Sequence, residues 1–198
     1  MSISGAKLAE GSPARGRVQE DFYATDPETV RLFIQRFHED GESLNAWSGC
    51  KIIEPCCGDG SIIKALKEFG EYGEEGSIIA SDITDRGCEG GRIRDFFTYT
   101  RDEFAHNKIT CIITNPPFGE MNSFLSHALY LLPLYGRLVI FSKIQTLEGQ
   151  GRGREGGYCV FQLRSERAGH ARIRCGAERA FAGRVYSAQD FCSIFQSY

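Results

Sequence analysis

The sequence predicts an α/β domain in which a mostly parallel central sheet carries helices on both faces. Three observations lead there. Short apolar runs at 51–54, 77–81, 109–114 and 137–141 alternate with stretches of helical period. Strands that alternate with helices pair in parallel, and such a sheet is covered on both sides. The chain has 198 residues, the size of one domain with a sizeable core.

The elements follow in order. Asp26-Pro27-Glu28 opens a helix, with Asp26 as N-cap and Pro27 in the first turn, and Val30, Phe33, Ile34 and Phe37 share one face. Lys51 to Glu54 is a short strand that enters a glycine turn. Ser61 to Phe69 has helical spacing, with Ile62, Ile63, Leu66 and Phe69 apolar. Ser77 to Ser81 is a second strand ending at Asp82, and Ile109 to Thr114 is a third. Ser123 to Leu132 is helical, with Phe124, Ala128, Leu131 and Leu132 inward, and Arg137 to Phe141 is a further strand. Sheets of this kind place their sites at the carboxyl ends of strands, which is where the polar signals of this chain fall.

Composition narrows the class. An apolar share of 41% and a charged share of 25% are those of a globular protein. No run approaches the roughly 20 apolar residues of a membrane span. Residues 1–20 form a small, polar arm without the apolar segment of a secretory signal. None of the eight cysteines forms a C-x-x-C pair, which removes zinc-knuckle spacing and leaves small buried thiols in a reducing cytoplasm. No metal site and no membrane partner are expected; oligomeric state is not encoded in any signal.

Chemistry gathers at three places. In Glu54-Pro55-Cys56-Cys57-Gly58-Asp59-Gly60, Gly58 and Gly60 allow close backbone approach, and the turn feeds a helix N-terminus that favours negative charge. Ile63 stands where a dinucleotide fingerprint has its third glycine, which argues against pyrophosphate. Asp82 follows about 22 residues later at a strand end, where an acid accepts from ribose hydroxyls. Asp95 can accept from an adenine amine, with Phe96 against the ring.

The third place is Asn115-Pro116-Pro117-Phe118. Two prolines end the strand abruptly and hold the residue before each extended, which presents Asn115 at the mouth of the sheet. The Asn115 amide oxygen and the Pro116 carbonyl can bracket one planar NH₂ group, and Phe118 offers its ring a flat face. Two acceptors on an aryl amine localise its lone pair, so in-line attack on an activated methyl becomes feasible without a protein nucleophile.

N-P-P-F at a strand end, after E-P-x-x-G-x-G and a strand-end acid, resembles the amino-group methyltransferases that use S-adenosylmethionine. The order of the motifs, with Asp21-Phe22-Tyr23-Ala24-Thr25-Asp26-Pro27 ahead of both, resembles phage and bacterial DNA adenine-N6 methyltransferases. The resemblance covers roughly residues 21 to 152. It implies a Rossmann-like methyltransferase fold over residues 21–150, with S-adenosyl-L-methionine as cofactor and the exocyclic amine of adenine in DNA as acceptor. Tyr23 and Thr25 would lie near the methionine part. Glu54, Pro55, Cys56, Gly58 and Gly60 would wrap the cofactor, Asp82 would hold its ribose, and Asp95 and Phe96 its adenine. Asn115, Pro116, Pro117 and Phe118 would hold the target base, flipped from the stack when the substrate is duplex.

Other readings share parts of this pattern. A glutamine-amide methyltransferase acting on protein uses the same two acceptors, although that class usually has Tyr at the Phe118 place and a longer helical N-terminal domain. RNA is a further substrate class. A non-catalytic nucleotide- or DNA-binding remnant would keep the cofactor site without turnover. A nicotinamide dehydrogenase leaves N-P-P-F without a role.

Residues 151–198 are atypical. They carry eight Arg against four acids and no Lys, while the whole chain has a net charge of −3. Only Tyr158 to Leu163 and a stretch near Phe191 to Phe195 look strand-like. Two readings stand: a tail replaced near Arg152 by a change of reading frame, with incomplete closing strands, or a basic arm that grips phosphates. In the first, another frame of the gene around those codons encodes an apolar closing hairpin, which sequencing checks. In the second, affinity for DNA falls steeply with salt, which a binding titration at two ionic strengths checks.

Overall fold

The computed structural model describes residues 24–39, 41–44, 48–69, 76–134 and 136–143, with the strand backbones of 158–167, 170–177 and 180–187. The N-terminal arm, Tyr23, the loop from Gln145 to Arg152 and the stretch Phe191 to Phe195 lie outside the described residues.

Helix α1 spans Pro27–Glu39. The Asp26 carboxylate accepts from the Glu28 N–H at 3.2 Å and from the Thr29 hydroxyl at 3.0 Å, which satisfies N-terminal groups that have no partner within the helix. Strand β1 is Lys51–Glu54, helix α2 is Ser61–Glu68 and strand β2 is Ile78–Asp82. Strand β3, Arg92–Ile93, and helix α3, Arg101–His106, carry too little period to be marked in sequence. A capping box between Thr100 and Glu103 starts α3. Strand β4 is Ile109–Thr114, helix α4 is Met121–Leu131 and strand β5 is Arg137–Lys143. Helix α4 begins two residues earlier than its apolar period suggests.

Strands β1 to β5 are parallel and ordered β3-β2-β1-β4-β5. All six residues of β4 are buried, the continuous apolar run expected of a strand covered on both faces. Side-chain alternation sends neighbours to opposite layers. Ile52, Ile113, Val139 and Phe141 join Phe33, Phe37 and Leu66 on the α1–α2 side. Ile53, Ile112, Leu138 and Ile140 join Phe104, Phe124 and Leu125 on the α3–α4 side. Each such aliphatic or aromatic side chain contributes on the order of 1.5–3 kcal/mol by leaving water.

Beyond β5 the sheet continues through three antiparallel strands, β6 (Tyr158–Arg167), β7 (His170–Ala177) and β8 (Ala180–Ser187). The sequence marks a strand only at the start of β6. Arginine and glycine blur the alternation of β7 and β8, and pairing from the β5 edge, a tertiary contact, sets strand content there. No helix among the described residues is long and apolar enough to cross a membrane.

The two faces of α1 should separate cleanly in stability. Phe37→Ala, at 2% exposure, is expected to cost about 3–5 kcal/mol. Leu32→Ala, on the same helix at 52% exposure, should stay within about 0.5 kcal/mol in urea unfolding.

Candidate functional site

Strand β1 pairs in parallel with β2 on one side and β4 on the other. The chain runs outward from β1 to β3, then crosses back to β4, so the connections leave β1 and β4 in opposite senses. A crevice opens at such a reversal, outside the carboxyl ends. Here it is a cleft of about 320 Å³ lined by residues that end β1, β2 and β4 and by the start of the described chain. That volume lies in the range of small-molecule sites, about 300–1,000 Å³.

The glycine turn forms its floor. Gly58 and Gly60 have φ of 54° and 80°, a region that a side chain disfavours. A Cβ on Gly60 would also meet the Cys88 Sγ at 3.0 Å. Asp59 caps the turn into α2, accepting from the Ser61 N–H at 3.0 Å and the Ser61 hydroxyl at 2.6 Å. Asp82 reaches across from β2. Its Oδ2 accepts from the Gly58 N–H at 2.9 Å, its Oδ1 from the Thr84 N–H at 3.1 Å, and the Arg86 guanidinium stands 3.9 Å away. The acid expected to meet a ribose therefore also ties the glycine turn to the end of β2.

Glu54 is the unusual group. It is 2% exposed, lines the cleft, and its buried Oε2 has no hydrogen-bond partner. Burial, then the charges of Asp82 and Asp59, push its carboxyl well above the ordinary carboxylate range. Among the described residues the cleft lining holds five acids, Glu54, Asp59, Asp82, Asp95 and Glu120, against one cation, Arg86. Such a field favours a cationic ligand and opposes a pyrophosphate. Burial pushes the Cys56 thiol up to about 12 and raises Cys57 as well, so neither is a nucleophile near neutral pH. Among the described residues no cluster of His, Cys, Asp and Glu has the arrangement of a metal site.

The sequence-expected residues converge. Thr25, Glu54, Pro55, Cys56, Asp82, Asp95, Phe96, Asn115 and Pro117 all line the cleft. Gly58, Gly60 and Pro116 are buried behind it and shape its backbone. Phe118 opens a 3₁₀ turn, Phe118–Glu120, but its ring lies outside the described atoms. Tyr23 lies outside the described residues. Phe96 faces the cleft from a core position, stacked on Phe124 with centroids 4.1 Å apart. The Asp95 Oδ1 accepts from the Phe97 N–H at 2.9 Å, so this acid caps a 3₁₀ turn as well as lining the cleft. Asn115 follows β4 into the cleft lining, and its Nδ2 donates to the Thr25 hydroxyl at 3.1 Å.

Sequence reasoning missed Arg86, Phe97 and Glu120 as lining residues. Phe97 is 43% exposed, an aromatic beside the expected Phe96 that the sequence could have flagged. Arg86 and Glu120 lie in connections without periodic signal, so only folding brings them to the cleft.

No protein-family model matches this chain, and no curated protein matches it. Solved structures do. The rRNA methyltransferase aviRa from Streptomyces viridochromogenes aligns with a TM-score of 0.51 at 13% identity, over 75% of this chain and 88% of that one. The type IIG restriction endonuclease BpuSI aligns with a TM-score of 0.53 at 18% identity, over 69% of this chain and 21% of that one. At these identities the likeness is one of fold. The parallel half of the sheet, with its helices on both faces, is a Rossmann-like methyltransferase fold.

The raised carboxyl of Glu54 has a consequence for stability. Below the ordinary carboxylate range, near pH 4.3, both folded and unfolded chains hold its proton and nothing is lost. As pH rises, the unfolded chain releases the proton first, so folding stability from this group declines until the folded carboxyl also ionises. Glu54→Gln should remove that slope. In urea unfolding without ligand, the variant is expected to gain on the wild type between pH 5 and pH 8, by up to about 1.4 kcal/mol per pH unit within the window. Parallel pH profiles would show that Glu54 is not buried as a neutral acid.

Proposed function

We propose that this chain transfers a methyl group from S-adenosyl-L-methionine to the exocyclic N6 amine of adenine in DNA. One observation carries the reading: Asn115, Glu54 and Asp82 line one cleft at the carboxyl ends of β4, β1 and β2. An amide able to accept from an amine and an acid-rich lining thus share one space.

The residues fit the cofactor. Glu54 is an orphaned buried carboxyl beside a cleft rich in acids, and S-adenosylmethionine carries both a sulfonium and an ammonium. Asp82 keeps lone pairs beyond those used by Gly58 and Thr84 for ribose hydroxyls. Asp95 and Phe96 stand for the adenine, Gly58 and Gly60 for close backbone approach, and Thr25 with Pro55 and Cys56 for the methionine end. When bound, the cofactor supplies an electrophilic methyl on sulfur.

Everything else falls to the chain. The Asn115 amide oxygen and the Pro116 carbonyl accept from the two N–H bonds of the target amine and draw its lone pair out of the ring. The pre-proline backbone holds those acceptors, so little reorganisation accompanies the transfer. The surplus proton on nitrogen leaves to solvent. The raised thiols of Cys56 and Cys57 supply no nucleophile, which agrees with direct transfer. The substrate class rests on the order of the glycine turn and N-P-P-F. The fold neighbours named as an rRNA methyltransferase and a restriction endonuclease lend it support.

Tritiated methyl transfer to unmethylated DNA tests this. Incorporation into adenine is expected, and Asn115→Ala should reduce it about 10²- to 10³-fold while calorimetric binding of S-adenosylhomocysteine persists. Asp82→Asn should do the reverse, weakening that binding about tenfold or more. Equal incorporation by wild type and Asn115→Ala removes Asn115 from the mechanism. Label that enters RNA or protein and not DNA moves the substrate class.

A further inference from the structure

Cys57 and Cys88 stand 31 residues apart in sequence and meet in the fold. They share a small core with Ile63 of α2 and Ala80 of β2, and a hydrogen bond joins their thiols. The neighbouring Cys56 packs instead with the α3–α4 layer. Two glycines leave the room for this meeting. A Cβ on Gly60 would meet the Cys88 Sγ at 3.0 Å. One on Gly91 would meet the Cys88 Cβ at 3.1 Å and the Cys57 Sγ at 3.3 Å.

The two thiols are unequal. Cys57 is 5% exposed and sits in the glycine turn, where its N–H donates to the Ser81 carbonyl at 2.9 Å. Cys88 is half-buried in the connection of residues 83–91, between β2 and β3. Gly87 and Gly90 flank it, with φ of 89° and 73° and open space where a Cβ would stand. The connection can therefore adjust where the turn cannot. Burial raises both thiols. The shared hydrogen bond then lowers Cys88 and raises Cys57, so the more exposed sulfur is also the better nucleophile of the pair. Both segments line the cleft, the turn through Cys57 and the connection through Ile83 and Arg86.

We propose that Cys57 and Cys88 are a reversible redox pair, which a hydroperoxide oxidises to a disulfide that pins the β2–β3 connection to the glycine turn. The Cys88 sulfur attacks the terminal peroxide oxygen. The O–O bond breaks, the departing oxygen takes the thiol proton and leaves as an alcohol, or as water from hydrogen peroxide, and a sulfenic acid remains. The Cys57 sulfur then attacks the sulfenic sulfur. The S–O bond breaks, and the hydroxyl leaves with the Cys57 proton as water. Two electrons pass from the thiols to the peroxide. Proximity in the folded chain, more than acidity, drives the second step. A dithiol reductant reverses it by exchange. None of this depends on what the cleft binds.

The full chain, reduced and then treated with hydrogen peroxide at neutral pH, tests this. Peptide mass spectrometry, with fragmentation between Cys56 and Cys57, should show a Cys57–Cys88 link that dithiothreitol removes. Cys56→Ser should keep the link. Cys57→Ser should stop at a Cys88 sulfenic acid, which dimedone traps, and Cys88→Ser should leave Cys57 reduced. A link from Cys88 to Cys56, a Cys56–Cys57 bridge, or sulfinic acid at Cys88 with no link overturns the proposal. The wild-type result stands alone if Cys57→Ser does not fold. A second readout tests the pinning. The Gly91 N–H donates to the Cys88 carbonyl at 3.0 Å, and its hydrogen exchange should slow several-fold in the oxidised chain and recover with dithiothreitol. Equal exchange in the two forms overturns the pinning.

Discussion

The reversal of strand order beside β1 governs the rest of the molecule. Because β1 pairs in parallel with both β2 and β4, the chain must leave its carboxyl end toward one side and arrive at β4 from the other. The connecting segments cannot fill the space between, and a crevice follows. Residues that end strands, Glu54, Asp82 and Asn115, are then delivered to its walls by the ladders themselves. The hydrogen bond from the Gly58 N–H to Asp82 at 2.9 Å closes this arrangement by joining the turn after β1 to the end of β2. Without it the glycine turn would have one fewer tie to the sheet.

Electrostatics then select the ligand. A buried carboxylate without a hydrogen-bond partner is costly, and burial raises the Glu54 carboxyl well above its ordinary range. A ligand ammonium or sulfonium in the cleft would lower that cost. The remaining acids of the lining act in the same direction, and the single guanidinium of Arg86 is engaged near Asp82. A glycine turn that elsewhere receives pyrophosphate is here surrounded by negative charge. The same turn geometry is therefore unfavourable to a pyrophosphate because of the side chains around it.

The end of β4 has a different logic, built from stiffness. Pro116 and Pro117 remove backbone donors and freedom just past β4, and α1 brings Thr25 to the amide from the far end of the chain. Both sides of that contact are anchored in the core formed by Phe33, Phe37, Ile113 and Phe141. Positioning of this kind would suit the proposed methyl transfer, in which geometry and electrostatics supply most of the rate.

The sequence alone determined much of this. The periods of α1, α2 and α4 and the apolar runs of β1, β2, β4 and β5 were legible because burial on one face or both writes itself into residue spacing. The glycine turn, Asp82 and Asn115-Pro116-Pro117 were legible because their backbone chemistry is local. The fold decided what spacing cannot express. It made Phe96 a core ring stacked on Phe124, brought Arg86 and Glu120 to the cleft, left Glu54 without a partner, and joined Thr25 to Asn115. It also drew β7 and β8 into the sheet from segments with little strand signal. Each of these depends on which distant residue arrives alongside, and a hydrogen bond or a desolvation shared between residues far apart in sequence leaves no mark on either neighbourhood until the chain closes.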